Sequence, residues 1–171
     1  MKKFSIREYV SILKFGITSE DYKNIQSNKL FEILRNKGIF IEKEGFKNVP
    51  NDKVIEYGLF DYEKNYYEPE NKWYVKPLIT DKGVSWLTEA LYKSGYIKTE
   101  VNFNEILNKY NNDWYMCDFN FLMNNILDNK YMFQYSAGIK NDWNVISMSN
   151  KIEVLYNIKV KGYKVRYNII K

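Results

Sequence analysis

The sequence predicts an α+β protein: an N-terminal winged helix-turn-helix module over residues 1–96, followed by a smaller helix-plus-antiparallel-sheet domain over residues 97–171. Three observations predict it. Residues 1–38 hold two apolar stripes at helical spacing, each with a stop signal after it. Residues 59–79 read as two alternating runs around a turn, closed by a Thr-capped helix. After Gly95 the character changes, and strand-like runs dominate from Tyr131 onward. Helix, helix, strand, hairpin and helix, in that order, are the elements of a winged module.

Each element has a local cause. Ser5-x-x-Glu8 is a capping box, and Ile6, Tyr9, Val10 and Leu13 share one face of the helix it opens, which Gly16 ends. Ser27 or Asn28 caps a second helix over Lys29–Lys37, with Leu30, Phe31 and Leu34 inward and Gly38 as its stop. A short strand Ile39–Ile41 follows, then a turn at Lys43-Glu44-Gly45. Asn48 to Asn51 reads as a loop, punctuated by Pro50. Asp52 to Tyr57 is one helical turn or an extended link. Leu59–Tyr67 and Trp73–Ile79 form a hairpin about Glu68-Pro69-Glu70-Asn71. Thr80 caps the helix Asp81–Tyr92, whose Val84, Leu87 and Leu91 point inward.

In the second half, Asn102-x-x-Glu105 opens a helix to about Tyr110. A longer one is expected over Asp113–Asn129, with Tyr115, Phe119, Leu122 and Ile126 on one face. Strands are expected at Tyr131–Tyr135, Trp143–Met148, Ile152–Val160 and Tyr163–Ile170. Lys161-Gly162 then turns a last, basic β-hairpin. Its register sets Val160 against Tyr163, Ile158 against Val165, Tyr156 against Tyr167 and Val154 against Ile169, which makes a core face. On the other face Lys159 opposes Lys164 and Asn157 opposes Arg166. That basic face either protects a sheet edge or meets phosphate or an acidic protein surface.

Composition narrows the function. The 171 residues carry 26 Lys+Arg against 21 Asp+Glu, no His and one Cys, Cys117. Without His there is no His-based triad and no two-His metal site, and one Cys forbids an internal disulfide. The eight Gly are dispersed, so no phosphate loop is present. The carboxylate pairs Asp113/Asp118 and Glu42/Glu44 are ordinary solvated-face patterns, and Cys117 reads as a small core residue. No catalysis, metal or cofactor is expected. The 21 Asn and two Ala match an AT-rich coding sequence. Glu8 interrupts any signal-like start and no apolar run reaches a membrane span, so a cytoplasmic protein in a bacterial host is expected.

Charge is segregated along the chain. Residues 1–50 are net +4, residues 51–100 net −2 and residues 101–171 net +3. The acidic stretch Asp61, Tyr62, Glu63, Tyr66, Tyr67, Glu68 and Glu70 lies on the expected wing, opposed in sequence by Lys64 alone.

Four blocks in order carry a family resemblance: Asn28-Lys29-Leu30-Phe31-Glu32-Ile33-Leu34-Arg35-Asn36-Lys37-Gly38-Ile39, then Asn48-Val49-Pro50, then Glu56-Tyr57-Gly58-Leu59-Phe60, and finally Val75 to Gly83 with Trp86-Leu87. Residues from about Ile6 to Leu91 resemble the C-terminal domain of phage KilA-type antirepressors, the KilAC domain. The resemblance implies that the first block is the second helix of the helix-turn-helix, that Gly58-Leu59-Phe60 starts the wing, and that Thr80 caps the closing helix. Gln26-Ser27 stand where the family usually has Gly-Arg.

The expected function is that of a phage-encoded antirepressor-type regulator binding DNA or a repressor protein. The binding residues expected are Asn28, Lys29, Arg35 and Lys37 on the helix, and Lys159, Lys161, Lys164 and Arg166 on the last ribbon. The acidic wing is expected as a partner surface, and a homodimer is compatible with the sequence. The alternative is an anti-defence inhibitor of the anti-CRISPR type, occupying a host nuclease complex with the acidic wing and the basic ribbon.

Overall fold

A computed structural model describes residues 1–18, 20–138 and 143–169. The chain divides into two compact units, Met1–Asn104 and Glu105–Lys171, where the sequence reading sets its boundary at 96/97. Both are mixed α+β, and every strand pairing in them is antiparallel.

In the first unit, β1 (Lys3–Ser5) leads into α1 (Ile6–Gly16). The expected capping box is present: Glu8 N–H donates to Ser5 Oγ at 3.1 Å and Ser5 N–H donates to the Glu8 carboxylate at 2.8 Å. A 3₁₀ turn (Asp21–Lys23) precedes α2 (Ser27–Asn36), which buries Leu30, Ile33 and Leu34. β2 (Phe40–Lys43) and β3 (Phe46–Pro50) form a two-stranded sheet about Glu44-Gly45. The short α3 (Asp52–Glu56) has Asn51 as its cap. Then β4 (Phe60–Tyr67) and β5 (Lys72–Thr80) make the long hairpin, and α4 (Asp81–Lys93) closes the unit under its Thr80 cap.

Two strands here depart from the sequence reading. β1 joins the other edge of β5, with Lys3 opposite Thr80 and Ser5 opposite Leu78, so the sheet order is β1-β5-β4. Three residues are too few to show a period of two, and only β5 reveals them. Residues 46–50, read in part as a loop, are a strand whose partner is β2. Asn48 supplies a left-handed φ of 60° and Pro50 falls at the strand end.

The core of this unit is aromatic. Tyr9 is fully buried, stacks on Phe103 at 5.1 Å, and its hydroxyl meets Thr88 Oγ1 at 2.9 Å. Phe60 packs edge-on to Phe40 at 5.5 Å and to Trp86 at 6.2 Å.

The second unit contains α5 (Phe103–Asn112, shared with the division point), β6 (Tyr115–Cys117), α6 (Phe119–Asn125), β7 (Tyr131–Ser136), β8 (Asn144–Val145), α7 (Lys151–Lys161) and β9 (Lys164–Ile169). Its four-stranded sheet has the order β6-β9-β7-β8. Leu122, Phe133, Val154, Ile158 and Val165 form the buried core on one face.

Three expectations fail in this unit. The long helix over Asp113–Asn129 is a strand followed by a short helix. Asp118 breaks it by capping α6, accepting from Phe121 N–H at 2.8 Å. The expected strand Trp143–Met148 is only two residues long, Asn144–Val145. The strand over Ile152–Val160 is the helix α7, and Gly162, at φ 68°, is its left-handed stop rather than a hairpin turn. The basic C-terminal β-hairpin therefore does not exist. β9 pairs β6 on one side and β7 on the other, and both of its hydrogen-bonding edges are filled. Ile170, the last residue of the expected strand, lies outside the described residues.

Candidate nucleic-acid or partner interface

α2 is two-sided because its apolar residues recur at helical spacing. With Leu30, Ile33 and Leu34 inward, Asn28, Lys29, Arg35 and Lys37 are all exposed on the remaining surface, as the sequence predicts. They are not equally free. Lys29 Nζ lies 3.8 Å from Glu32. Arg35 Nη1 donates to Asn48 Oδ1 at 2.9 Å, which ties the end of α2 to β3. Lys37 is the C-cap, where its cation complements the negative end of the helix. The positive end has Gln26 at the N-cap, with no side-chain bond to the first-turn amides.

Gln26 is occupied elsewhere. Its Nε2 donates to Tyr22 C=O at 2.8 Å, and its Oε1 accepts from Lys14 Nζ at 2.8 Å. Lys14 is buried on α1, 5.8 Å over the Tyr22 ring, and burial lowers its amine to about 8. In the unfolded chain it titrates near 10.5. Between those values the unfolded state holds more protons, so this group makes folding more favourable as pH rises through that window. Cys117 acts the opposite way. Burial, helped by Asp118, pushes its thiol up to about 11, which makes stability fall as pH rises above its usual value near 9.0. Lys14→Met isolates the first effect. It is expected to raise the unfolding free energy at neutral pH by about 1 kcal/mol. The gain should shrink between pH 8 and 10, read as a difference in urea midpoints between variant and parent. A gain that is the same at both ends of that range would show that Lys14 is charged in the folded state throughout.

The wing is less acidic in space than in sequence. β4 and β5 pair so that Glu63 lies opposite Lys76, with the ion pair at 3.9 Å, and Asp61 bonds Lys3 of β1. Lys3, followed by the Tyr62 backbone N–H, holds the Asp61 carboxyl below the usual carboxylate range. Lys64 sits over the Phe46 ring at 4.9 Å. Tyr62 is half-buried. Glu63 and Lys64 stay exposed beside their partners, and at the tip Tyr66, Tyr67, Glu68 and Glu70 are exposed together with Trp73 and Tyr74. The sequence reading missed these last two. The signal was available, since Trp73 falls directly opposite Tyr66 once the four-residue turn is accepted.

The third expected cluster does not assemble. Lys159 and Lys161 are on α7, Lys159 Nζ lying 5.8 Å over the Phe119 ring. Lys164 is on β9 opposite Ser136. Arg166 is not a surface cation: its guanidinium stands 4.1 Å from the Trp143 ring, 4.5 Å from Trp114 and 5.3 Å from Tyr110. Its Nε and Nη2 donate to Gln134 Oε1 at 2.9 and 2.7 Å, so it organises the sheet face away from the α7 core.

Among the described residues no three His, Cys, Asp or Glu side chains gather as a metal set, and no helix is long and apolar enough to cross a membrane. The class these features define is a mixed α+β module in which a cationic helix face accompanies a protruding antiparallel ribbon. Residues 2–94, more than half of the chain, match the family model for the phage antirepressor protein KilAC domain, and the chain belongs to that family. The family is one of phage regulatory proteins. No curated protein and no solved structure matches the chain.

Proposed function

We propose that residues 2–94 act as a winged helix-turn-helix that binds duplex DNA, in a phage regulator of the antirepressor type. In this reading α1 and α2 are the helix-turn-helix pair, α2 enters the major groove, and the β4–β5 hairpin is the wing. The observation that carries it is the outer surface of α2. It combines Lys29, Arg35 and Lys37 with Asn28, a side chain able to read an adenine edge, and with first-turn amides that no side chain caps. The neutralisation of Asp61 and Glu63 by lysines also removes much of the repulsion that an acidic wing would exert on a phosphate backbone. The reading is of a binding module and not of a catalyst.

The test is fluorescence anisotropy with duplex DNA over a range of salt. Contacts to about three to five phosphates give a steep loss of affinity with salt. Combining Lys29→Ala, Arg35→Ala and Lys37→Ala is expected to lower affinity at low salt by about tenfold to a hundredfold and to flatten that slope by about three. No binding at micromolar protein and low salt sinks the reading, and leaves a repressor protein as the target of the module. The anti-defence alternative loses one of its supports, because Lys159, Lys161, Lys164 and Arg166 do not form a ribbon.

A further inference from the structure

Two exposed apolar surfaces lie away from the α2 face that carries the DNA reading. The first is the hairpin tip. β1 pairs with β5 only over Leu78–Thr80, so the far end of the ribbon has no third strand. It carries Tyr66, Tyr67, Trp73 and Tyr74, with Trp73 57% exposed and 5.3 Å from the Tyr66 ring. Glu68 and Glu70 form the turn between them, and neither has an ion pair among the described residues. The second surface is α7. Val154 and Ile158 take its inner face, which leaves Ile152, Tyr156 and Val160 as an outer stripe at i, i+4 and i+8. Ile152 is 86% exposed and the other two 61%. Isolated exposed apolar residues need no explanation, but three aligned on one helix face mark a contact surface. Lys159 and Lys161 lie in the last turn of this helix and Lys164 follows at the start of β9, and Glu153 is the acid on this helix.

We propose that the hairpin tip of one copy of this chain docks on the α7 stripe of a second copy. The two surfaces are complementary in both respects that matter. Aromatic rings, the side chains that most often anchor interfaces, meet an aliphatic stripe, and Glu68 and Glu70 meet Lys159 and Lys161. Pairing either surface with itself would bring carboxylates onto carboxylates, or lysines onto lysines, so the charge pattern selects unlike faces. Such a contact is heterologous. A single contact leaves the stripe of one copy and the tip of the other unused, and these can recruit further copies into rings or short chains. It uses none of the α2 surface that carries the DNA reading, although its tip belongs to the hairpin read there as the wing, so loss of self-association and loss of α2-dependent DNA binding are read separately.

The experiment is sedimentation velocity on the full chain from low micromolar to sub-millimolar concentration. The mass average is expected to climb past that of a dimer, and to climb less at high salt. Glu68→Lys with Glu70→Lys, and separately Lys159→Glu with Lys161→Glu, are each expected to weaken association about tenfold. All four positions are exposed, so circular dichroism should show both variants folded. The decisive measurement mixes the two: each reversed surface now faces an oppositely reversed one, and hetero-association returns. A monomer at every concentration overturns the proposal. So does association that only the α7 variant weakens, which would mean α7 meets α7, or association that the mixture fails to restore.

Discussion

Gly83→Ala is expected to unfold the N-terminal unit. Gly83 is the third residue of α4, and its N–H donates to the Thr80 hydroxyl at 3.0 Å. A Cβ at this position would lie 1.8 Å from the Leu59 carbonyl oxygen, 2.8 Å from its carbon and 2.9 Å from Ile79 Cγ2. No side chain can swing aside to relieve this, because the obstacle is backbone. That carbonyl is also in use: it accepts from Thr80 N–H at 3.1 Å and from the Thr80 hydroxyl at 3.2 Å. Moving it would break the cap of α4 and the junction between the start of β4 and the end of β5. Helix propensity favours Ala over Gly by about 1 kcal/mol, and the clash exceeds this several-fold. A net loss of about 4 kcal/mol or more is expected, a large part of the stability of a domain this size. Thermal unfolding followed by circular dichroism checks it. A midpoint within a few degrees of the parent would mean that α4 has room for a Cβ against the Leu59 carbonyl.

The second large effect belongs to the C-terminal unit. Arg166→Ala removes a guanidinium held among Trp143, Trp114 and Tyr110 and deletes its donations to Gln134, whose side chain is fully buried. Three cation–π contacts at about 0.5–2 kcal/mol each, with the loss of charged hydrogen bonds to a buried amide, put the cost at about 3 kcal/mol. Arg166→Lys should recover little of it, since an ammonium cannot stack flat or donate in a fork. Burial already pulls the Arg166 guanidinium below its usual range, which reflects how far the site is removed from water. Tryptophan fluorescence is the direct readout, because Trp114 and Trp143 line the site. An unchanged emission spectrum and an unchanged unfolding midpoint in Arg166→Ala would show that the rings do not depend on the cation.

The two variants bear on how much could be read from residues alone. Gly83 belongs to a block legible in the sequence: Thr80 announces a cap, and Val84, Leu87 and Leu91 announce a stripe. Each of these signals spans a few residues, and most of the first unit is specified in this way. The exposed cations of α2 were legible for the same reason, since a helix that shows its inner stripe also shows its outer one. The wing was legible as a hairpin but not in its electrostatics. Lys3 and Lys76 reach Asp61 and Glu63 only across strands, and no local window contains both partners.

Arg166 marks the other case. Its alternation with Lys164 reads as one polar face of a ribbon, yet the ring cage around it comes from Tyr110, Trp114 and Trp143, all more than twenty residues before it in the chain. The helix α7 was hidden for a related reason. Ile152, Val154, Tyr156, Ile158 and Val160 occupy alternate positions, and such a series fits a strand with one apolar face. It fits equally a helix with apolar residues on two opposite sides. The sequence by itself determined the capped helices α1 and α4, the long hairpin and the family. The tertiary structure decided between strand and helix at residues 152–160. β6 and β7 take both hydrogen-bonding edges of β9, and the helix places Val154 and Ile158 on the core while satisfying its own backbone.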